Sequence, residues 1–152
     1  MEVRKFRKGD ETEIWELFYN TIHNVNSRDY NSQQIAAWAP EDFDMDFAAQ
    51  KFRDIDPFVV IYKDRIIAYA DIQSDGYIDH FYCHHKFQGQ GVGTLLFKTL
   101  EQQAKEIGIV KMYSNVSITA RPFFEAMGFV VEEEQNIAIG EQRLKNYRMI
   151  RA

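Results

Sequence analysis

Apolar residues in the first part of the chain recur first as a short strand and then at helical spacing. Val3 to Phe6 predicts the strand, and Asp10 with Glu13 three residues later fits a capping box at the start of a helix. A stripe at helical spacing follows, which predicts an amphipathic helix packed on a core. Its members are Ile14, Leu17, Phe18, Thr21 and Ile22.

Polar residues between Asn24 and Tyr30 interrupt this helix, and Ser32 would cap a short second helix that stops at Pro40. The next run, from Glu41 to Phe47, interleaves acidic residues with aromatic ones. Such a run is typical of a solvated loop or a helix start. The alternative is an acidic wall that attracts an amine.

Segments rich in β-branched and aromatic residues then predict three consecutive strands. These strands are Pro57 to Tyr62, Arg65 to Gln73 and Tyr77 to Cys83. Turns at Lys63-Asp64 and Ser74-Asp75-Gly76 join them, so we expect an antiparallel meander. The third strand leads into a glycine-rich turn.

After that turn the apolar pattern predicts a helix, a strand, a second helix and a closing hairpin. The first helix uses Val92, Leu95, Leu96, Thr99, Leu100 and Ala104 as its buried face and ends near Gly108. The later elements are a strand from Ile109 to Tyr113, a helix from Ile118 to Met127, and strands from Phe129 to Ile139 and from Gln142 to Ile150.

The order strand, helix, strand fixes how two of these strands should lie. The strand ending at Cys83 and the one starting near Ile109 should be parallel and joined by a right-handed crossover. The predicted fold class is therefore α/β (α+β), with a three-layer mixed sheet of about six to seven strands and helices on both faces. We expect one domain over residues 1–152.

Composition narrows the class of partner. Hydrophobic residues make up 45% and charged residues 27% of the chain, as in a globular domain. The net charge of -5 argues against a nucleic-acid partner and suits a cationic small molecule or peptide. The one cysteine, Cys83, excludes an internal disulfide, and neither an apolar signal region nor a membrane-spanning run is visible. We expect a cytoplasmic protein without a membrane partner.

Three glycines within five positions, Gly89, Gly91 and Gly93, indicate a ligand site in the turn. Glycine permits positive φ and close approach of the backbone, and the following helix start offers unpaired amides and a positive macrodipole to phosphate oxygens. Two standard nucleotide sites do not fit. Gly-x-Gly-x-x-Gly from Gly89 meets Thr94 at its third glycine, and Gly-Lys-Ser/Thr is absent.

The turn does match Gln/Arg-x-x-Gly-x-Gly/Ala, as Gln88-Gly89-Gln90-Gly91-Val92-Gly93. An early block, Tyr30-Asn-Ser-Gln-Gln-Ile-Ala-Ala-Trp38-Ala-Pro40, precedes it. A late Asn115, followed by Ala120-x-x-Phe123-Phe124-x-x-x-Gly128-Phe129, comes after it. With these blocks in this order, nearly the whole chain resembles the GNAT family of acetyl-coenzyme A dependent N-acetyltransferases.

The resemblance implies a binding mode for acetyl-coenzyme A. Backbone amides from Gln88 through Thr94, a run that includes Gln90 and Val92, would hold the pyrophosphate. The strand edge from Phe81 through Tyr82 to Cys83 would pair with the pantetheine arm. Asn115 and the helix carrying Phe124 would flank the other side.

The resemblance also implies direct attack of a primary amine of a small molecule or peptide on the thioester, within a ternary complex. Family members often place the base four to six residues before the position of Cys83, which indicates Tyr77 and Asp79. Asp79 is the first candidate, and the alternative is a solvated or cap-forming aspartate. His80 is expected to line the site.

One departure from the family pattern bears on the mechanism. Phe124 stands where the family usually has a tyrosine as general acid, so Tyr82, Tyr113 or water would have to replace it. A thiol pKa of roughly 8.5 makes such an acid dispensable. The rival interpretation is an acyl-coenzyme A binding or sensing module without turnover.

Three further candidate roles concern other side chains. Tyr30 and Trp38 would cover the acceptor cleft or form core. Zinc is not expected, because alternation along one strand sends His80 and His84 to one face and Cys83 and His85 to the other. A Cys83 nucleophile is not expected either, since direct transfer needs no acyl-enzyme. A homodimer through the last strands stays open.

Overall fold

The computed structural model describes residues 1–152 and contains eight strands and five α-helices. The strands are β1 (Glu2–Lys5), β2 (Phe58–Tyr62), β3 (Arg65–Ala70), β4 (Tyr77–Ile78), β5 (Phe81–Cys83), β6 (Met112–Ser117), β7 (Val130–Ile139) and β8 (Gln142–Arg151). The helices are α1 (Glu11–Asn24), α2 (Ser32–Trp38), α3 (Met45–Ile55), α4 (Val92–Glu106) and α5 (Arg121–Ala126). None of the helices is both long and apolar enough to cross a bilayer.

The strands form two four-stranded sheets. The first has the order β1-β2-β3-β5 and is antiparallel throughout, which confirms the predicted meander. The second has the order β4-β6-β8-β7 and contains one parallel pair, β4 with β6. The mixed α/β architecture is therefore confirmed.

The predicted single strand from Tyr77 to Cys83 is wrong, because the chain changes sheets at Asp79 and His80. Residues before this break pair with β6, and residues after it pair with β3. The buried Asp71 explains the break: its carboxylate accepts the backbone amides of Asp79 at 3.1 Å and of His80 at 2.6 Å. These two amides therefore have hydrogen-bond partners although no continuous strand ladder pairs them. The alternation of side chains between the two faces of a strand therefore does not continue across Asp79 and His80.

Helix α3 was missed by the apolar pattern. Its start lies in the acidic run, where the Asp44 side chain accepts the amides of Asp46 and Phe47 and caps the helix. The run from Glu41 to Phe47 is thus a loop that leads into a helix start, in agreement with the interpretation typical of its composition. Three residues at helical spacing, Ala48, Phe52 and Ile55, are buried, although most of the intervening residues are polar.

The two predicted N-caps have different outcomes: Asp10 occupies the N-cap position of α1 without the predicted capping bond, and Ser32 does not cap α2. Asp10 accepts two hydrogen bonds from Arg4 and one from the Arg7 amide, and makes no cap bond to α1. Asn31 rather than Ser32 caps α2, in a capping box with Gln34.

Two boundaries also moved. β6 begins later and ends later than the strand predicted from Ile109 to Tyr113, so Asn115 lies inside it rather than at its end. Helix α5 is shorter than the predicted span from Ile118 to Met127.

The apolar core lies on both faces of the first sheet. One cluster joins Val60 of β2 to Leu96 and Leu100 of α4, and the other joins the neighbouring Val59 to Ile14 of α1 and Phe52 of α3. Consecutive β2 residues face opposite helical layers because strand side chains alternate. Helices on both faces of the sheet are confirmed, and the break between β4 and β5 lies between these layers.

Candidate active site

The separation of β5 from β6 opens a cavity of about 440 Å³. Its walls come from β5, the glycine-rich turn, the start of α4, β6 and α5. All predicted cofactor residues except Gln90 line it. The Gln90 side chain donates to the Lys86 carbonyl at 3.2 Å instead.

The glycine-rich turn presents a helix start to this cavity. Gly89 and Gly91 have φ of 71° and 79°, and a Cβ at either position would meet nothing within 4 Å. Gly91 is the N-cap residue of α4, and no side chain caps this end of the helix. The amides of the first α4 turn, at 92 to 94, therefore stay available to a ligand.

Gly93 is required by packing rather than by φ. A Cβ there would lie 3.1 Å from a ring carbon of Phe123 on α5. The start of α4 and α5 thus approach each other closely below the cavity.

Backbone groups of β5 face the cavity at alternate residues. The His80 carbonyl accepts the amide of Asp71, just after β3, the His84 amide donates to Ile67 of β3, and Tyr82 is paired with Tyr69. In an antiparallel ladder the residues between them, Phe81 and Cys83, direct their amides and carbonyls away from β3.

The Cys83 carbonyl is already occupied. It accepts hydrogen bonds from Gln88 Nε2 at 2.7 Å and from Thr21 Oγ1 at 3.1 Å. Burial raises the pKa of the Cys83 thiol to about 11, so this side chain stays a thiol near neutral pH and is a poor nucleophile.

A second cavity of about 260 Å³ lies on the other side of the break in the strand. Five residues line both cavities: Trp38, Asp79, Tyr82, Asn115 and Ser117. Tyr77, His80 and Tyr30 line only the second. The two cavities therefore meet at the predicted catalytic and acceptor residues.

Asp79 lies at this junction and is paired with a lysine from α3. Lys51 Nζ and Asp79 Oδ2 are 2.5 Å apart, and the Asp79 side chain is 22% exposed. No carboxylate other than Asp79 lines either cavity.

The Tyr30 ring lines the second cavity, but its hydroxyl serves the fold. It donates to the Lys145 carbonyl and accepts the Ile118 amide. The Trp38 ring packs edge-on against Tyr30 and reaches both cavities.

His80 lies among aromatic rings beside Asp71. Its Nδ1 is 2.9 Å from the Tyr69 hydroxyl, and its ring stacks on Phe18. Burial lowers the pKa of His80 to about 4, so the ring is neutral near pH 7. Burial also raises the pKa of Asp71 to about 6, although Gln73 and the His80 amide hydrogen-bond to its carboxylate.

Asn115 connects the junction to the closing hairpin. Its Nδ2 donates to the Tyr77 hydroxyl at 3.4 Å, and its Oδ1 accepts from Gln135 at 3.1 Å. Burial raises the pKa of Tyr77, which keeps this hydroxyl protonated. No three histidine, cysteine or acidic side chains converge as a metal site would require.

Comparison with known proteins places this arrangement in a family. The chain matches the acetyltransferase (GNAT) domain family over residues 26–146. It belongs to that family. The resemblance inferred from the glycine-rich turn is thereby confirmed.

Individual relatives align with almost the whole of this chain. An uncharacterized N-acetyltransferase, YafP of Escherichia coli K12, is 26% identical over 149 residues, which are 98% of this chain and 94% of the relative. A GCN5-related N-acetyltransferase structure from Rhodopseudomonas palustris has a TM-score of 0.94 at 24% identity, covering 99% of this chain and 94% of that one.

A PaiA N-acetyltransferase structure from Thermoplasma acidophilum, solved in complex with coenzyme A, has a TM-score of 0.76 at 16% identity. It covers 99% of this chain and 97% of its own. These likenesses show the GNAT fold.

Phe124, which stands where the GNAT family usually has a tyrosine, is a structural residue in this chain. Phe124 is 2% exposed, packs edge-on against Phe81 and Phe129, and forms part of the first cavity wall. Tyr82 lines both cavities, and burial raises its pKa. Tyr113 pairs with Asp75 and lines neither cavity.

Sequence reasoning missed three residues of the site. Lys51 and Asp71 reach Asp79 and His80 only through the tertiary fold. Arg28 is exposed, forms no ion pair, and is the only cationic residue lining the first cavity. A lone arginine in a polar loop carried no signal in the sequence.

Proposed function

We propose that this GNAT domain, spanning residues 1–152, transfers the acetyl group of acetyl-coenzyme A to a primary amine by direct attack in a ternary complex. The observation that carries the proposal is the meeting of two cavities at Asp79. The larger one adjoins a helix start suited to phosphate, and the smaller one opens onto the same junction.

The first cavity is assigned to the cofactor. The α4 amides would hold the pyrophosphate, and Arg28, which lines the same cavity, would add a side-chain cation. The free groups of Phe81 and the Cys83 amide would pair with the pantetheine arm. Related structures support this assignment, since PaiA of Thermoplasma acidophilum holds coenzyme A and yncA of Salmonella typhimurium holds acetyl-coenzyme A.

The second cavity is assigned to the acceptor amine. At about 260 Å³ it lies below the usual range for drug-sized ligands, which favours a small amine over a folded peptide segment. Asp79 would attract the ammonium form and take its proton directly or through a water. Asp79 is the only carboxylate that lines this cavity, and its side chain is 22% exposed.

The leaving thiolate needs little help. A coenzyme A thiol with a pKa of roughly 8.5 leaves readily, so the hydroxyl missing at Phe124 does not prevent turnover. Tyr82, which lines both cavities, or solvent would supply the proton.

A sensing module is the second candidate. Phe124 and the Lys51–Asp79 ion pair favour it, because a general acid is absent and the proposed base is already paired.

One experiment separates the candidates. The protein is incubated with acetyl-coenzyme A and a panel of small amines, amino acids, polyamines and peptides, and released thiol is followed. Amine-dependent thiol release supports the transferase. Cofactor binding, seen as a raised melting temperature, without thiol release for any amine supports the sensor.

A further inference from the structure

The tautomer of His80 is determined by one buried hydroxyl. Tyr69 is fully buried, and burial raises the pKa of its hydroxyl well above the ordinary value, so this group keeps its proton. The only side-chain partner of the hydroxyl is His80 Nδ1, at 2.9 Å. Leaving a buried donor without an acceptor costs about 1–3 kcal/mol. Tyr69 therefore donates to His80 Nδ1.

The proton of the neutral imidazole must then lie on Nε2, because a neutral ring carries one N–H and Nδ1 is the acceptor. His80 Nε2 has no partner in the protein. It is also not sealed in, since the only sealed and unpartnered side-chain nitrogen and oxygen atoms are His85 Nδ1 and Thr119 Oγ1. The ring lines the second cavity and not the first. The ring that carries this donor therefore lines only the cavity proposed for the acceptor.

This donor differs from a base in what it can recognise. An Nε2–H cannot take a proton from an ammonium, whereas it can donate to an oxygen. Aromatic rings hold the imidazole in place: Phe18 stacks on it, and Phe52 and Tyr82 contact it edge-on. Three charged groups lie around the ring: Asp79 and Lys51 are paired with each other, and Asp71 is held by Gln73 and by the backbone amides of Asp79 and His80.

We propose that His80, held as the Nε2–H tautomer by Tyr69, donates a hydrogen bond to an oxygen of the acceptor, so that the substrate is a small amine carrying a hydroxyl, ether or carbonyl oxygen. The substrate class rests on the proposed function. The tautomer does not depend on it. Asp79 and His80 then contact different groups of the acceptor: the carboxylate binds the amine, and the imidazole donates to the oxygen.

The tautomer is tested by nitrogen-15 NMR of protein labelled at histidine, between pH 6 and 8. The expected result is an Nε2–H ring in the wild type and loss of the fixed tautomer in Tyr69→Phe. Tyr62→Phe is the matched control, because the Tyr62 hydroxyl makes no hydrogen bond and its loss should leave His80 unchanged. An Nδ1–H ring in the wild type overturns the proposal whether or not the protein transfers acetyl groups.

The acceptor class is tested with matched pairs of primary amines, in which the terminal hydroxyl of an amino alcohol from ethanolamine to 6-aminohexan-1-ol is replaced by methyl. At least one amino alcohol should exceed its alkylamine by about tenfold or more in kcat/KM, because the bound alkylamine excludes water from the Nε2–H donor without offering it an acceptor. His80→Gln, which places an amide near Nε2, should keep part of this preference. The double variant Tyr69→Phe with His80→Phe removes both polar partners and should abolish it.

Three outcomes of this test are distinct. No transfer to any amine contradicts the proposed function; the acceptor class is then read from whether amino alcohols, and not alkylamines, shift the His80 Nε2–H resonance. Transfer with equal rates for both members of every pair contradicts the oxygen contact. A preference that survives in the double variant shows that another residue reads the oxygen and overturns the assignment to His80.

Discussion

At the scale of single residues, Asp79 is the one carboxylate at the junction of the two cavities. We expect Asp79→Asn to lower kcat more than tenfold and to leave coenzyme A affinity nearly unchanged. An amide can neither take a proton nor attract an ammonium, whereas the proposed contacts to the cofactor phosphates are the α4 amides and Arg28. Steady-state kinetics across pH, with calorimetric binding of coenzyme A, checks both parts. An unchanged pH–rate profile would remove Asp79 from the mechanism.

Arg28 gives a second residue-scale prediction. Arg28→Ala should weaken coenzyme A binding about three- to tenfold, because it removes the only cationic side chain of the first cavity. Pantetheine, which carries no phosphate, should bind the variant and the wild type equally.

Arg7→Ala is the matched control for Arg28, since Arg7 makes no side-chain hydrogen bond or ion pair and lines neither cavity. Equal losses for coenzyme A and pantetheine in Arg28→Ala would show that the arginine shapes the wall rather than contacting phosphate.

At the scale of elements, the glycine-rich turn could be predicted from the sequence, whereas the break in the preceding strand could not. Gly89 and Gly91 are local signals, because positive φ is required where they occur. The break at Asp79 and His80 depends on Asp71, which belongs to another strand end and acts through buried hydrogen bonds. Helix α3 was missed because three buried residues among polar ones give little pattern.

The turn itself yields a prediction with a close control. Gly91→Ala and Gly140→Ala both place a Cβ at positive φ in open space, so each should cost about 1–2 kcal/mol of stability. Of the two glycines, only Gly91 precedes a helix whose start lines the first cavity. Gly91→Ala alone should raise the Kd of coenzyme A, by about tenfold. A similar rise in Gly140→Ala would mean that the effect is general destabilisation.

At the scale of the whole molecule, the site and the fold share one buried carboxylate. Asp71 is fully buried and supports the change of sheets that separates β5 from β6. A fold with one uninterrupted strand would close the gap that forms the first cavity. The cavity thus depends on Asp71, whose buried surroundings disfavour the charged form of its carboxyl group.

This environment predicts a specific dependence of stability on pH. The pKa of Asp71 is raised from 3.8 to about 6 in the folded state, mainly by burial, so between these values the folded state binds more protons than the unfolded one. Its contribution to the free energy of unfolding is therefore greatest at low pH and declines as pH rises from about 4 to 6, by roughly 3 kcal/mol in all.

The variant Asp71→Asn should remove that decline, because an amide does not titrate. It adds a loss that does not depend on pH, since the new amide donor meets Gln73 Nε2, which donates to Asp71 at 2.7 Å in the wild type. Urea unfolding of both proteins at several values between pH 4 and 7 gives the difference directly. Carboxyls with lowered pKa, such as Asp10, act in the opposite sense and cancel in this comparison. A stability difference that stays constant across this range would place the folded pKa of Asp71 near its ordinary value.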